Sequence, residues 1–196
     1  MHPGPKLPSP WVTRFLSGTR AGGTMLDVAC GSGRHLRHGL DQGLVVTGID
    51  RDLSDAEDLG ERGDVALIEA DLETGRPFPL RDLRFDAVVV THYLWRPILS
   101  DIVGCVADDG VFVYETFALG HHREGRPMRP DFLLKPNELL EVALPRLVVI
   151  AYEHGELPGD DAHGGHARVV QRIAACGPGH RWAGDTPFVF ADDRPR

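Results

Sequence analysis

Through residue 118 the chain alternates short apolar runs with segments of helical spacing, and that alternation restricts it to an α/β architecture built on a largely parallel sheet. TMLDVA (24–29), LVVTGID (44–50), DVALIEAD (64–71), FDAVVVT (85–91) and DDGVFVYETFA (108–118) read as strands, FDAVVVT being apolar on both faces, as a covered central strand requires. Between them, RHLRHGLDQG sets Leu36 and Leu40 four apart and stops at Gly43. DLSDAEDLGERG (52–63) spaces Leu53, Ala56 and Leu59 three apart behind an acidic first turn, and WRPILSDIVGCV (95–106) puts Pro97 in a first turn; all three segments are predicted helices. WVTRFLSG (11–18) predicts a further short helix, behind a lead-in with four prolines in ten residues. LGHHREGRPMRPDFLLKP (119–136) has no period and exceeds the usual connection length, which marks a functional loop. NELLEVAL predicts a helix with Asn137 as N-cap. RLVVIAYEHGEL and HARVVQRIAAC, on either side of PGDDAHGG, read as an antiparallel hairpin. The expectation is an α/β fold, a doubly wound mixed seven-stranded sheet with a C-terminal antiparallel hairpin. One domain, 11–177, lies between an irregular lead-in 1–10 and a flexible tail 178–196.

A chain of 196 residues is long enough to bury a full core in one domain without staples. With 21 basic and 29 acidic residues its net charge is −8, which argues against a nucleic-acid binder, since phosphates need a concentrated basic surface. Lys6 and Lys135 are the only lysines, an arginine bias that reads as GC-rich coding and points to a bacterium. Cys30, Cys105 and Cys176 form no CxxC pair, so neither a disulfide scaffold nor a zinc site is expected, and a reducing cytoplasm is the default. No run approaches the roughly 20 apolar residues of a membrane span, and MHPGPKLPSP has no apolar h-region.

The chemistry concentrates at Leu26-Asp27-Val28-Ala29-Cys30-Gly31-Ser32-Gly33-Arg34. A glycine turn between a parallel strand and a helix leaves backbone N–H groups free and lets a ligand approach the main chain, at the carboxyl ends of the strands. Asp50 ends the next strand, 17 residues after Gly33, where a carboxylate accepts both hydroxyls of an adenosine ribose. A dinucleotide fingerprint needs a small residue at position 36, which is leucine here. Asp27 just before the turn repels a pyrophosphate but suits a cationic, zwitterionic ligand, whose ammonium it can hold directly or through water.

These motifs together resemble the class I S-adenosylmethionine-dependent methyltransferases, over about residues 10–177. LDVACGSG is similar to that family's motif I, with Ala29 where a third glycine often stands. GID resembles motif II, EADLE the adenine segment, FDAVVVTHYLW motif IV, and ADDGVFVYETF the following strand. The resemblance implies a Rossmann-like methyltransferase fold and S-adenosyl-L-methionine as cofactor. It implies that Asp27, Ala29, Gly31, Gly33, Asp50, Arg51, Asp71, Leu72 and Thr91 bind it, Asp71 accepting from the adenine amine and Leu72 stacking or donating its N–H. PSPWVTRFL, THYLWRP, YETFA and the RPDFLL stretch are similar to small bacterial methyltransferases of the tellurite-resistance type.

The resemblance also implies an in-line displacement, which needs positioning above all, and a base only where the nucleophile keeps its proton. The candidate catalytic residues are His92, Tyr93 and Glu115. His92 is either the general base or a strand-end residue that shapes the pocket; Tyr93 either closes over the methyl group or packs; Glu115 either orients the acceptor or pairs with an arginine of the following loop. Trp11 and Phe15 are a flap or an anchor, Cys30 a small filler, and Arg34 either a partner for the methionine carboxylate or a surface residue. His121, His122, Arg123, Arg126 and Arg129 form either an anionic-substrate lid or a solvated loop. No metal is expected, because His154, His163 and His166 have no matched ligand set. The Asn/Asp-Pro-Pro-aromatic signature used on exocyclic base amines is absent. The expected acceptor is therefore a small molecule. The alternatives are an RNA or protein acceptor, favoured by a basic groove at 123, 126 and 129, and a non-catalytic S-adenosylmethionine-binding module.

Overall fold

The computed structural model of the chain describes residues 7–121, 127–159 and 165–190. Seven strands form one sheet: β1 (Thr24–Val28), β2 (Val45–Asp50), β3 (Val65–Glu69), β4 (Phe85–Thr91), β5 (Val106–Phe117), β6 (Val148–Leu157) and β7 (Arg168–Cys176), in the order β3-β2-β1-β4-β5-β7-β6. The first five run parallel; β7 is antiparallel to both β5 and β6. The doubly wound mixed sheet and its closing hairpin are therefore as the sequence pattern predicts. The strand order reverses between β1 and β4, which opens a crevice at the carboxyl ends of these strands.

The period-two alternation of each strand explains the two cores. Ala87 and Val89 of β4 join Met25, Val111 and Val113 on one face, against α1 (Pro10–Leu16) and α2 (Arg34–Asp41). Val88 and Val90 join Leu26, Phe112 and Tyr114 on the other, against α3 (Leu99–Gly104) and α4 (Glu138–Ala143). With helices over both faces and a strand on either side, β4 is buried along its whole length.

Three local expectations are refined or corrected. The short helix expected in 52–63 forms as a 3-10 helix, Ser54–Leu59. Its apolar residues recur every three positions without an i+4 partner, and that spacing lines up on a helix of three residues per turn. Asn137 does not cap α4 with its side chain; it sits at φ 66, and its carbonyl accepts the first N–H groups of the helix. The acid at the helix start does the tying instead: the Glu138 carboxylate accepts the Lys135 N–H and pairs with Arg96 at 2.7 Å.

The third concerns the segment beyond Gly177. Its composition predicts fraying, yet residues 178–190 pack back on the core. Trp182 is buried and lies over Gly18, where an added Cβ would come within 2.3 Å of its ring. His180 contacts the Gly18 carbonyl at 3.1 Å, and Phe188 meets Phe15 at 4.9 Å between ring centroids. Polar composition hides a small aromatic cluster of His180, Trp182, Phe188 and Phe190, each ring in contact with the next. Trp182→Ala is expected to cost about 3 kcal/mol in urea unfolding, as for a buried aromatic; a frayed tail would leave the midpoint unchanged.

Candidate functional site

Between β1 and α2 the backbone enters the left-handed region three times in five residues, at Ala29 (φ 55), Gly31 (φ 51) and Gly33 (φ 71). Ala29 carries a Cβ into that region, at a cost of about 1–2 kcal/mol. Gly31 is the residue that opens the turn to a ligand. Its N–H donates to Asp50 Oδ2 at 2.7 Å, and a Cβ there would meet nothing within 4 Å because it would enter open space. Asp50 Oδ1 accepts the Asp52 N–H at 3.1 Å, so the carboxylate is held on both oxygens with lone pairs to spare. Gly33 serves packing instead. A Cβ there would lie 3.0 Å from Leu59, so the glycine lets α2 seat against the 3-10 helix.

A cavity of about 1220 Å³ lies over these strand ends. Ten of the twelve residues that the sequence singles out line it. Ala29 and Gly31 come from the turn, Asp50 and Arg51 from the end of β2, and Asp71 and Leu72 from beyond β3. Thr91, His92 and Tyr93 come from the end of β4, and Glu115 from β5. The other two, Asp27 and Gly33, do not line it.

Asp27 is fully buried beneath the turn, and neither carboxylate oxygen has a hydrogen-bond donor among the described residues. Burial pushes its pKa up to about 8. His35 Nδ1 lies 3.8 Å from Asp27 Oδ2. His35 is also buried, which pulls its pKa down to about 3, so the ring is neutral. The Ser9 N–H donates to its Nε2 at 3.2 Å, which leaves the ring proton on Nδ1, facing Asp27. His35 in turn links the buried layer beneath the turn to the N-terminal segment.

That segment is what sequence reasoning misses. Leu7, Pro8, Ser9 and Pro10 form a wall of the cavity. Ser9 Oγ donates to Glu115 Oε1 at 3.2 Å and also accepts the Trp11 N–H as the cap of α1. Trp11 and Phe15 are an anchor: both are buried, and the Trp11 indole donates to the Ile173 carbonyl at 3.1 Å. The arginine partner of Glu115 is Arg172 at 3.6 Å, its cross-strand neighbour on β7 and not a residue of the following loop. His92 sits at φ 54 and is stacked on Phe117, which is stacked in turn on His121; all three line the cavity. The Tyr93 phenol is raised by burial and then by Glu73, Asp71 and Asp50, the acids beyond β2 and β3. Its hydroxyl has no partner among the described residues.

Other candidates fall out as follows. Arg34 and His166 line the cavity. Arg129 pairs with Asp131 at 3.2 Å on the surface, and His154 is exposed. His122, Arg123, Arg126 and His163 lie outside the described residues. Cys30 is buried, with its thiol pushed up by burial. Among the described residues no three metal-ligating side chains converge, and no helix is long and apolar enough to cross a membrane.

Residues 25–110 match the family described as "Methyltransferase domain". Over those residues the chain is similar to that methyltransferase family. No curated protein matches the chain in sequence. Among solved structures it is similar to TehB from Haemophilus influenzae (TM-score 0.59, 19% identity), covering 79% of this chain but only 57% of that one. It is also similar to a TehB-like methyltransferase from Corynebacterium glutamicum (TM-score 0.56, 20% identity, 84% and 86% covered). A third similar structure is the glycopeptide N-methyltransferase MtfA complexed with sinefungin (TM-score 0.59, 18% identity, 91% and 90% covered). At these identities the likeness shows the shared fold.

The buried pair has a pH signature. Folded Asp27 keeps its proton to about pH 8 against 3.8 when unfolded, so stability falls as pH rises through that window. His35, at about 3 folded against 6.5 unfolded, makes stability rise with pH between those values. The slopes cancel from about pH 4 to 6.5, and from 6.5 to 8 a net loss of roughly 2 kcal/mol is expected at ~1.36 kcal/mol per unit. Urea unfolding of the ligand-free protein at pH 6.5 and pH 8 measures it, and Asp27→Asn is expected to abolish the difference.

Proposed function

We propose that this methyltransferase transfers a methyl group from S-adenosylmethionine to a small-molecule acceptor, in the cytoplasm. The observation that carries the reading is the Asp50 carboxylate pinned at 2.7 Å to the Gly31 N–H, at the mouth of a cavity that also holds His92 and Glu115. The residues fit the cofactor. Gly31 leaves open space where any side chain would intrude, and the buried Tyr93 hydroxyl lacks a protein partner among the acids of the nucleoside end. In this reading Asp50 accepts the ribose hydroxyls, Asp71 the adenine amine, and Leu72 and Ala29 pack on the ring and the turn side, with Arg51 and Thr91 at the two ends.

The bound cofactor supplies a methyl group already activated on a sulfonium, so the chain's own part is to orient the acceptor, exclude water and take a proton where one is released. His92 is the residue placed to take it. Its backbone N–H is held by the Glu115 carbonyl at 3.0 Å and its ring by the stack on Phe117, which restrict where its nitrogens point. Glu115 is matched by Arg172 and Ser9, and it acts as a positioning group for the cavity wall. Residues Leu7 to Pro10 and the hairpin residues Leu157 and Pro158 add apolar walls to the cavity, which supports a small acceptor. An RNA or protein acceptor is the second reading. The described arginine of its proposed groove, Arg129, is engaged by Asp131.

Calorimetry with S-adenosylhomocysteine tests the cofactor reading. Asp50→Ala is expected to weaken binding about 100-fold, the scale of two charge-assisted hydrogen bonds; unchanged affinity removes the ribose assignment. With an acceptor found by screening for S-adenosylhomocysteine release, His92→Ala is expected to lower kcat about 100-fold and to flatten the acid limb of the pH–rate profile. A profile that keeps its shape removes His92 as base.

A further inference from the structure

The cavity has two chemically different ends, separated in sheet order by β1, β4 and β5. Beyond β2 and β3 it is lined by Asp50, Asp71 and Glu73 against Arg51. On the side of β7 and β6 it is lined by Arg168, Arg172 and His166, with Glu115 of β5 as the acid there. In a chain of net charge −8 that second end is basic, and none of the motifs that carry the family resemblance supplies its arginines.

The two arginines of that end are placed differently. Arg172 is committed to the protein: it donates to Glu153 at 2.7 Å, pairs with Glu115 at 3.6 Å and lies over the Trp11 ring at 4.5 Å. Arg168 opens β7, in register with Leu157 of β6, and both residues line the cavity. It is only 8% exposed, which is rare for a guanidinium unless charged or polar partners offset its desolvation. Arg168 has an interaction within the protein, and a fork of five N–H donors leaves it others for a ligand. It is also close enough to Arg34, which lines the same cavity, to disfavour the charge there. Two neighbouring guanidinium groups on one cavity are best satisfied by anions. The cofactor brings one carboxylate, enough for one of the pair, and a sulfonium that adds to the positive charge facing the acceptor.

The interval between Arg168 and His92 is apolar. β4 and β7 flank β5, two strand spacings or about 10 Å apart. Phe117, the last residue of β5, lines the cavity in that interval with its ring stacked on His92. Leu157 and Pro158 line it on the β6 side. We propose that the acceptor is a small organic acid with an apolar body, whose carboxylate is held by Arg168, whose body lies across Phe117 and whose nucleophilic atom stands at His92. The proposal rests on the S-adenosylmethionine reading above and names the acceptor class within it. The carboxylate is a binding handle, and His92 keeps the proton-accepting role already given. A cationic acceptor meets Arg168, Arg34 and the sulfonium as like charges, so selectivity comes from repulsion as well as attraction.

Three probes of one size and different charge test it by calorimetry: 4-hydroxybenzoate, the neutral 4-hydroxybenzamide and the cationic 4-hydroxybenzylamine. The protein is first saturated with S-adenosylhomocysteine, so that the cofactor's own carboxylate is already in place. The acid is expected to bind about 10-fold more tightly than the amide, the scale of one charge-assisted pair, and the amine most weakly. Arg168→Gln is expected to bring the acid down to the affinity of the amide, while the amide and S-adenosylhomocysteine stay within about threefold. Arg168→Lys keeps the charge without the fork and is expected to fall between. Leu157→Glu, which sets an acid opposite Arg168 across the β6–β7 pair, is expected to reverse the order of acid and amine. The proposal is overturned if the saturated wild-type protein binds the three probes alike or binds none of them, or if Arg168→Gln keeps the preference for the acid. It is overturned too if Arg168→Gln weakens S-adenosylhomocysteine as much as the acid, which marks a structural role. A wild-type protein that does not bind S-adenosylhomocysteine overturns the cofactor reading along with it, whereas charge-blind binding to the saturated protein overturns the acceptor class alone.

Discussion

One hydrogen bond, from the Gly31 N–H to the Asp50 carboxylate, ties the turn after β1 to the end of β2. It requires a residue at φ 51 with nothing on its α-carbon, because the same geometry that frees the N–H points a side chain into the cavity. It also requires β1 and β2 to be neighbours in parallel register, with Val28 opposite Ile49, so that Asp50 arrives one residue beyond. The crevice exists because β4 lies on the other side of β1, carrying the chain away from β2. Turn, carboxylate and opening are thus three consequences of one strand order.

Beneath the turn lies a second arrangement, of buried groups kept neutral. Asp27 and His35 are both inaccessible, and each loses its charge at neutral pH because no donor or counter-ion at bonding distance offsets desolvation. The histidine, once neutral, accepts a backbone N–H from Ser9, and Ser9 in turn binds Glu115. A stretch of N-terminal chain with no regular structure of its own is thereby held as a cavity wall. The wall connects the helix after the glycine turn to β5, so the two sides of the cavity share one support.

How much of this is legible before folding differs residue by residue. FDAVVVT predicts β4 over 85–91, and it forms over Phe85–Thr91, because a run apolar on both faces has to be covered on both. The three-residue spacing of Leu53, Ala56 and Leu59 holds the sign of a 3-10 helix, but the same residues are compatible with a short α-helix. Asn137 misleads because residue type predicts a side-chain cap, while left-handed backbone geometry removes the side chain from reach. The packed tail is hidden because its aromatic residues make contact with Phe15 and Gly18, which lie at the other end of the chain, and local composition carries no record of that.

Strand and helix periodicity determined the fold class, and the family resemblance carried by the motifs pointed to ten of the residues around the cavity, since a strand of period two and a glycine turn are local properties whose outcome hardly depends on the rest of the chain. Tertiary structure alone decided that Asp27 is fully buried and does not line the cavity, that Glu115 is matched by Arg172 from the neighbouring strand, and that residues 7–10 wall the cavity. Those are questions of desolvation and of pairing between distant segments. Whether a carboxylate is a ligand or a buried neutral group depends on which groups the folded chain brings within a few ångströms of it, and that information resides in no single stretch of sequence.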